Sequence, residues 1–152
     1  MSQRIHVIGL SHKTAGVDIR ERFALAGLNP VAAGLVHEHG PITEAVILST
    51  CNRVECIVGE PKTRVAHIVH QAWATTCAQP VELLSQHTYH YTGAAAVAHV
   101  FSVAASLDSM VVGEPQILGQ LKAASRGAVE CHATRVILNR LLHKAFSTAK
   151  RV

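Results

Sequence analysis

The sequence predicts an α+β fold: a ferredoxin-like, split βαβ antiparallel sheet of four strands with additional C-terminal helices. Three observations lead there. Short apolar, β-forming runs recur at 4–10, 42–50, 54–59 and 87–92, helical periodicity fills the longer gaps, and three more helical stretches follow the last run. Only Cys51, Asn52 and Arg53 separate the second run from the third, a gap that forces an antiparallel hairpin. The 152 residues suit one domain with a core of its own.

Residues 4–10 (RIHVIGL) form the first strand, ending at a polar loop. In DIRERFALAG, Ile19, Phe23 and Leu25 give a short amphipathic helix stopped by Gly27. Asn29 caps a second helix, with Pro30 at its first position, that runs to His39 and Gly40. The strands ITEAVILST and VECIVG follow, then a helix over 62–77 with Val65, Ile68, Val69, Ala72 and Trp73 on one face. PVELLSQ makes a further helical turn and HTYHYT the fourth strand. Thr92 is the expected cap of the Ala-rich helix GAAAVAHVFSVAASL. After the irregular DSMVVGE, Pro115 starts a helix to about residue 131, and Thr134 caps the last, TRVILNRLLHKAFSTAKR. That basic helix reaches the final residue without a C-cap, so the natural chain is expected to continue.

A chain 49% hydrophobic and 16% charged is not disordered, and its apolar stretches break well short of about 20 residues, which excludes a membrane span. With no basic-then-apolar leader, a cytoplasmic protein is expected. The four cysteines show neither a CxxC pair nor a disulfide-like spacing, so reduced thiols are expected. Lys and Arg outnumber Asp and Glu 14 to 10, and the excess is uneven. From residue 115 onward stand Lys122, Arg126, Arg135, Arg140, Lys144, Lys150 and Arg151 against the single acid Glu130. Such a segment is either a solvated helix face or a contact for a phosphate-rich partner.

Among the eleven histidines, His67 and His70 share a helix face and His87 and His90 flank a strand tyrosine. No three-ligand pattern with a nearby carboxylate emerges, and no metal is expected. Cys51 is the candidate nucleophile. It ends an apolar strand and opens the polar turn STCNR, where a neighbouring Arg53 and turn N–H groups would favour thiolate. Cys56, Cys77 and Cys131 lie in a strand and at helix ends, where a thiol acts as a small hydrophobe. His99, mid-helix among Ala and Val, is either a core histidine with one hydrogen bond or an imidazole aimed at a pocket for acid–base or orienting work. The stretch from Asp108 to Gln116 places Ser109, Glu114 and Gln116 at a helix N-terminus, as an ordinary loop or as a polar clamp.

At these residues the chain resembles a known family. STCNRVE at 49–55, GLSHKTAGVDIRERFA at 9–24 and LDSMVVGEPQILGQLKAA at 107–124 are similar to the N-terminal catalytic domain of the glutamyl-tRNA reductases. That family makes glutamate-1-semialdehyde from glutamyl-tRNA and NADPH, the first step of tetrapyrrole (5-aminolevulinate) synthesis. The resemblance implies that 1–152 is that catalytic, substrate-binding domain and that 134–152 begins a long connecting helix. The NADPH-binding and dimerisation domains lie outside this chain, which contains no GxGxxG and would not carry out reduction alone. It implies Cys51 as the nucleophile that holds glutamate as a thioester, and His99 as a second catalytic residue. Thr50, Asn52, Arg53, Ser109, Glu114, Pro115, Gln116 and Gln120 are the implied substrate contacts, with a guanidinium suited to a carboxylate. The implied partners are glutamyl-tRNA(Glu), glutamate-1-semialdehyde aminomutase and a second copy in a homodimer, without a membrane. The alternative is a non-catalytic tRNA-binding or haem-responsive module of the same fold. Where the family commonly has FRVASGLDS, this chain reads Phe101-Ser102-Val103-Ala104-Ala105-Ser106-Leu107.

Overall fold

A computed structural model describes residues 4–25, 34, 36, 42–59, 65–107 and 116–150. Four strands, β1 (Ile5–Ser11), β2 (Glu44–Ser49), β3 (Arg53–Gly59) and β4 (Tyr89–Thr92), make one sheet in the order β2-β3-β1-β4. Every pairing is antiparallel. The described helices are α1 (Val17–Arg22), α2 (Val65–Cys77), α3 (Val81–Ser85), α4 (Ala94–Ala104), α5 (Gln116–Glu130) and α6 (Val136–Ala149). This is the ferredoxin-like arrangement with helices added behind the sheet. The expected helix from Asn29 to His39 lies outside the described residues except Gly34 and Val36, both helical, with Val36 in the core.

The register divides the sheet into two faces. Val7, Gly9, Ser11, Val46, Leu48, Arg53, Glu55, Ile57, Tyr89 and Tyr91 share one face, which α4, α5 and α6 cover. Ile8, Leu10, Ala45, Ile47, Val54, Cys56 and Val58 share the other, toward Leu25, whose N–H donates to Ser49 Oγ. Beyond it Trp73 Nε1 donates to the Phe23 carbonyl and the two rings meet edge to face. With helices on both sides all seven β3 residues are buried, which is why these strands read as continuous apolar runs rather than alternating ones.

Two expected caps are corrected by the structure. Thr92 is the last residue of β4, with its hydroxyl toward His6 and His90, and the N-cap of α4 is Gly93 at φ 66° without a side-chain cap. Strand pairing claims Thr92, and the chain turns into the helix through a conformation that favours glycine. Thr134 does not cap α6 either. Its cap is Glu44 of β2, whose Oε1 accepts the N–H groups of Arg135 and Leu138 at 2.6 and 3.0 Å. A buried carboxylate at a helix N-terminus satisfies orphan donors and opposes the helix dipole, which outweighs a local hydroxyl.

The first predicted helix ends earlier than expected, at Arg22, and leaves Phe23 and Leu25 as buried plugs beyond it. Three helices stop at non-glycine residues in the left-handed region, Ala78, Ser106 and His132. At Ala78 the closing bonds run from Ala78 N to Thr75 O and from Gln79 N to Ala74 O. A side chain at this φ costs about 1–2 kcal/mol, part of which glycine loses again in the unfolded chain. Ala78 is exposed, so Ala78→Gly is expected to raise Tm by about 2 °C in a thermal melt. A lower Tm would mean that the terminus carries no strain.

Candidate active site

The turn between β2 and β3 is built by one threonine. Thr50 N donates to the Arg53 carbonyl, and Thr50 Oγ1 accepts the N–H groups of Asn52 and Arg53 at 3.1 and 3.2 Å. Such closure pushes Cys51 outward, and it is the exposed thiol of the four. Burial pushes the Cys56 thiol up to about 12 and raises Cys77 as well. The loop after β1 braces the tip: His12 N donates to the Asn52 carbonyl. Arg20 of α1 donates from Nε to the Cys51 carbonyl at 3.1 Å and from Nη1 to the Ala15 carbonyl at 2.7 Å.

Thr50, Cys51, Asn52 and Arg53 line a small cavity of about 30 Å³, closed on the far side by Gln116, Ile117 and Gln120. Gln116 and Gln120, four apart on α5, present one helix face to the turn around the buried Ile117. Six of the expected site residues are therefore brought together. Ser109, Glu114 and Pro115 lie outside the described residues.

Arg53 is placed differently from the neighbouring guanidinium expected beside the thiol. As the first residue of β3 it is 1% exposed, and Nη1 lies 3.5 Å from Glu55 Oε2. Glu55 is equally buried and also accepts hydrogen bonds from Tyr89 Oη and His99 Nε2. His99 lies in α4 with the rings of Tyr89 and Tyr91 against it. It does not line the small cavity but meets the hairpin through the chain His99–Glu55–Arg53.

Gly9 makes this chain possible. It stands opposite Glu55 on β1, and a Cβ there would meet Glu55 Cγ at 2.7 Å and the Val54 carbonyl oxygen at 2.8 Å. Without one, the Glu55 side chain crosses β1 to reach Tyr89 on β4. Sequence reasoning missed Glu55 and Arg20. The signals were an acid inside the apolar run VECIV, opposite a run that carries glycine, and the first arginine of the DIRER helix.

Other histidines among the described residues make their contacts away from this site. His6 Nδ1 and His90 Nε2 are 2.8 Å apart, and His70 Nε2 lies 2.9 Å from Thr88 Oγ1. Burial first, then neighbouring imidazoles, lowers the pKa of His70 and of His90. Among the described residues no group of three or more metal-binding side chains converges, and no helix is long and apolar enough to cross a membrane.

Comparison with known proteins adds three findings. The family model "Glutamyl-tRNAGlu reductase, N-terminal domain" matches residues 8–152. A glutamyl-tRNA reductase of Nitratidesulfovibrio vulgaris (strain DP4) is 54% identical over 152 residues, covering 100% of this chain and 34% of that protein, and one of Lawsonia intracellularis is 51% identical. The solved glutamyl-tRNA reductase from Methanopyrus kandleri superposes with a TM-score of 0.80 at 27% identity, over 98% of this chain and 34% of that one. This chain thus spans about a third of the length of the relatives it matches.

Proposed function

Because this chain belongs to the family of glutamyl-tRNA reductase N-terminal domains, we propose that it is the part of such an enzyme that takes glutamate from its tRNA ester. The observation that supports this best is the exposed Cys51 at a braced turn, beside a cavity lined by polar side chains from two elements.

In this reading Cys51 Sγ attacks the ester carbonyl of glutamyl-tRNA. A C–S bond forms, the C–O bond to the terminal ribose breaks, and the tRNA leaves with a proton on that oxygen, so glutamate remains as a thioester. Thr50 holds the turn in the reactive shape, while Asn52, Gln116 and Gln120 supply hydrogen bonds to the glutamyl group. Ser109, Glu114 and Pro115 complete its contacts, with Glu114 suited to the ammonium group. Arg53 faces a substrate carboxylate from the cavity wall. Glu55 and His99 act through it as positioning residues, since His99 touches Glu55 rather than the cavity.

Reduction of the thioester to glutamate-1-semialdehyde, the first step of tetrapyrrole synthesis, draws its hydride from NADPH in the complete enzyme. This chain contains no GxGxxG turn from strand to helix, so no residue of it is assigned to that cofactor. The same reading places the complete protein in the cytoplasm as a homodimer that hands a reactive aldehyde to an aminomutase.

The test is mass spectrometry of the chain after incubation with glutamyl-tRNA. A glutamyl adduct on the Cys51 peptide is expected, with slow release of free glutamate at the same rate with or without NADPH. An adduct confined to another residue, or none, would overturn the nucleophile assignment. Semialdehyde made by this chain alone would overturn the placement of the cofactor.

A further inference from the structure

A second cavity, of about 610 Å³, opens at the other end of the same sheet face. Ile5 and Glu44, the first residues of β1 and β2, line it, whereas the Cys51 turn follows the last residue of β2. Six residue steps of strand separate the two ends, roughly 20 Å at the rise of a β-strand. Such a volume is that of a ligand site rather than a packing gap.

Its lining combines two chemistries. Ile5, Val97, Phe101 and Leu141 make an apolar floor, and Arg4, Arg135, Arg140 and Lys144 form the rim. Arg135, Arg140 and Lys144 are exposed, and the last two are four apart on α6. The one acid in the lining, Glu44, is turned into the start of α6, with its carboxylate bound by the Arg135 and Leu138 amides. The basic excess of residues 115–152, which the Cys51 chemistry does not use, is thus gathered in part around an aromatic floor.

We propose that this cavity is an RNA-binding subsite that seats one unstacked base on Phe101, with the flanking phosphates on Arg135, Arg140 and Lys144. It rests on the reading of glutamyl-tRNA as substrate. Polyphosphate chains recruit cations in rows, and aromatic floors hold splayed bases by stacking. A tRNA whose glutamyl ester lies at Cys51 extends far beyond roughly 20 Å, so contacts at both ends of the face would fix the orientation in which that ester is presented.

The test measures binding of an uncharged tRNA(Glu) transcript to this chain across a salt series. The double variant Arg140→Glu, Lys144→Glu is expected to weaken binding at least tenfold. It should also flatten the plot of log K against log salt by about 1.5, because two phosphate contacts are lost. Phe101→Leu, which keeps an apolar side chain in place, is expected to weaken binding about fivefold without changing the slope. Wild-type affinity and slope in the double variant would overturn the proposal. So would equal competition by heparin, which makes the patch a generic polyanion surface, or stronger competition by poly-glutamate, which points to a protein partner. Adduct formation on Cys51 is scored separately. Its absence with RNA affinity intact would sink the thioester reading alone, and intact adduct with an unaltered double variant would sink the subsite alone.

Discussion

Cys51→Ser is expected to lower formation of the glutamyl adduct by at least about a thousandfold while leaving the melting curve unchanged. The loss follows from the nucleophile itself: a serine hydroxyl ionises far above a thiol, and no histidine is among the described residues that line the cavity. The fold is unaffected because Cys51 is exposed at a turn whose hydrogen bonds run through Thr50, Asn52 and Arg53 backbone groups and the Thr50 hydroxyl. Adduct yield is read by mass spectrometry and stability by thermal denaturation. An adduct of undiminished yield in the variant would remove Cys51 from its role, and the same peptide map would show whether Cys77 or Cys131 carries it.

Glu55→Gln is expected to be the most destabilising single change in the site, by about 3 kcal/mol, because it removes the buried carboxylate that Arg53, Tyr89 and His99 share. For a chain of this size that corresponds to a fall in Tm on the order of 10 °C. The isosteric amide keeps the volume that Gly9 leaves above β1, so packing changes little and the lost charge is what the experiment reads. Material that remains folded at low temperature should also form the adduct more slowly, since Arg53 loses the group that orients it. A Tm within 2 °C of wild type would show that Arg53 and Glu55 do not depend on each other.

Much of this was legible in the chain itself. The three-residue gap at Cys51 forced a hairpin, and the apolar runs carried the four strands to within one or two residues of their observed ends. The turn residues Thr50 to Arg53 and the i,i+4 pair Gln116 and Gln120 were named from motifs, and the structure brings them to one cavity.

What the sequence by itself determined is whatever depends on neighbours in the chain: strand runs, helix periodicity, the turn that exposes Cys51, and the basic bias after residue 115. What only the tertiary structure decided is whatever depends on partners far along the chain. Glu44 caps a helix that begins more than ninety residues later, displacing the expected Thr134. Glu55 gathers Arg53, Tyr89 and His99 from three elements, across a space that exists because Gly9 lies opposite. The physical reason is that a buried charge must be satisfied by whatever donors the packing brings within reach, and that pairing has no periodicity to read. Local chemistry saw Arg53 two residues from a thiol. The fold gave its charge to a carboxylate and set Arg20 on the Cys51 carbonyl instead.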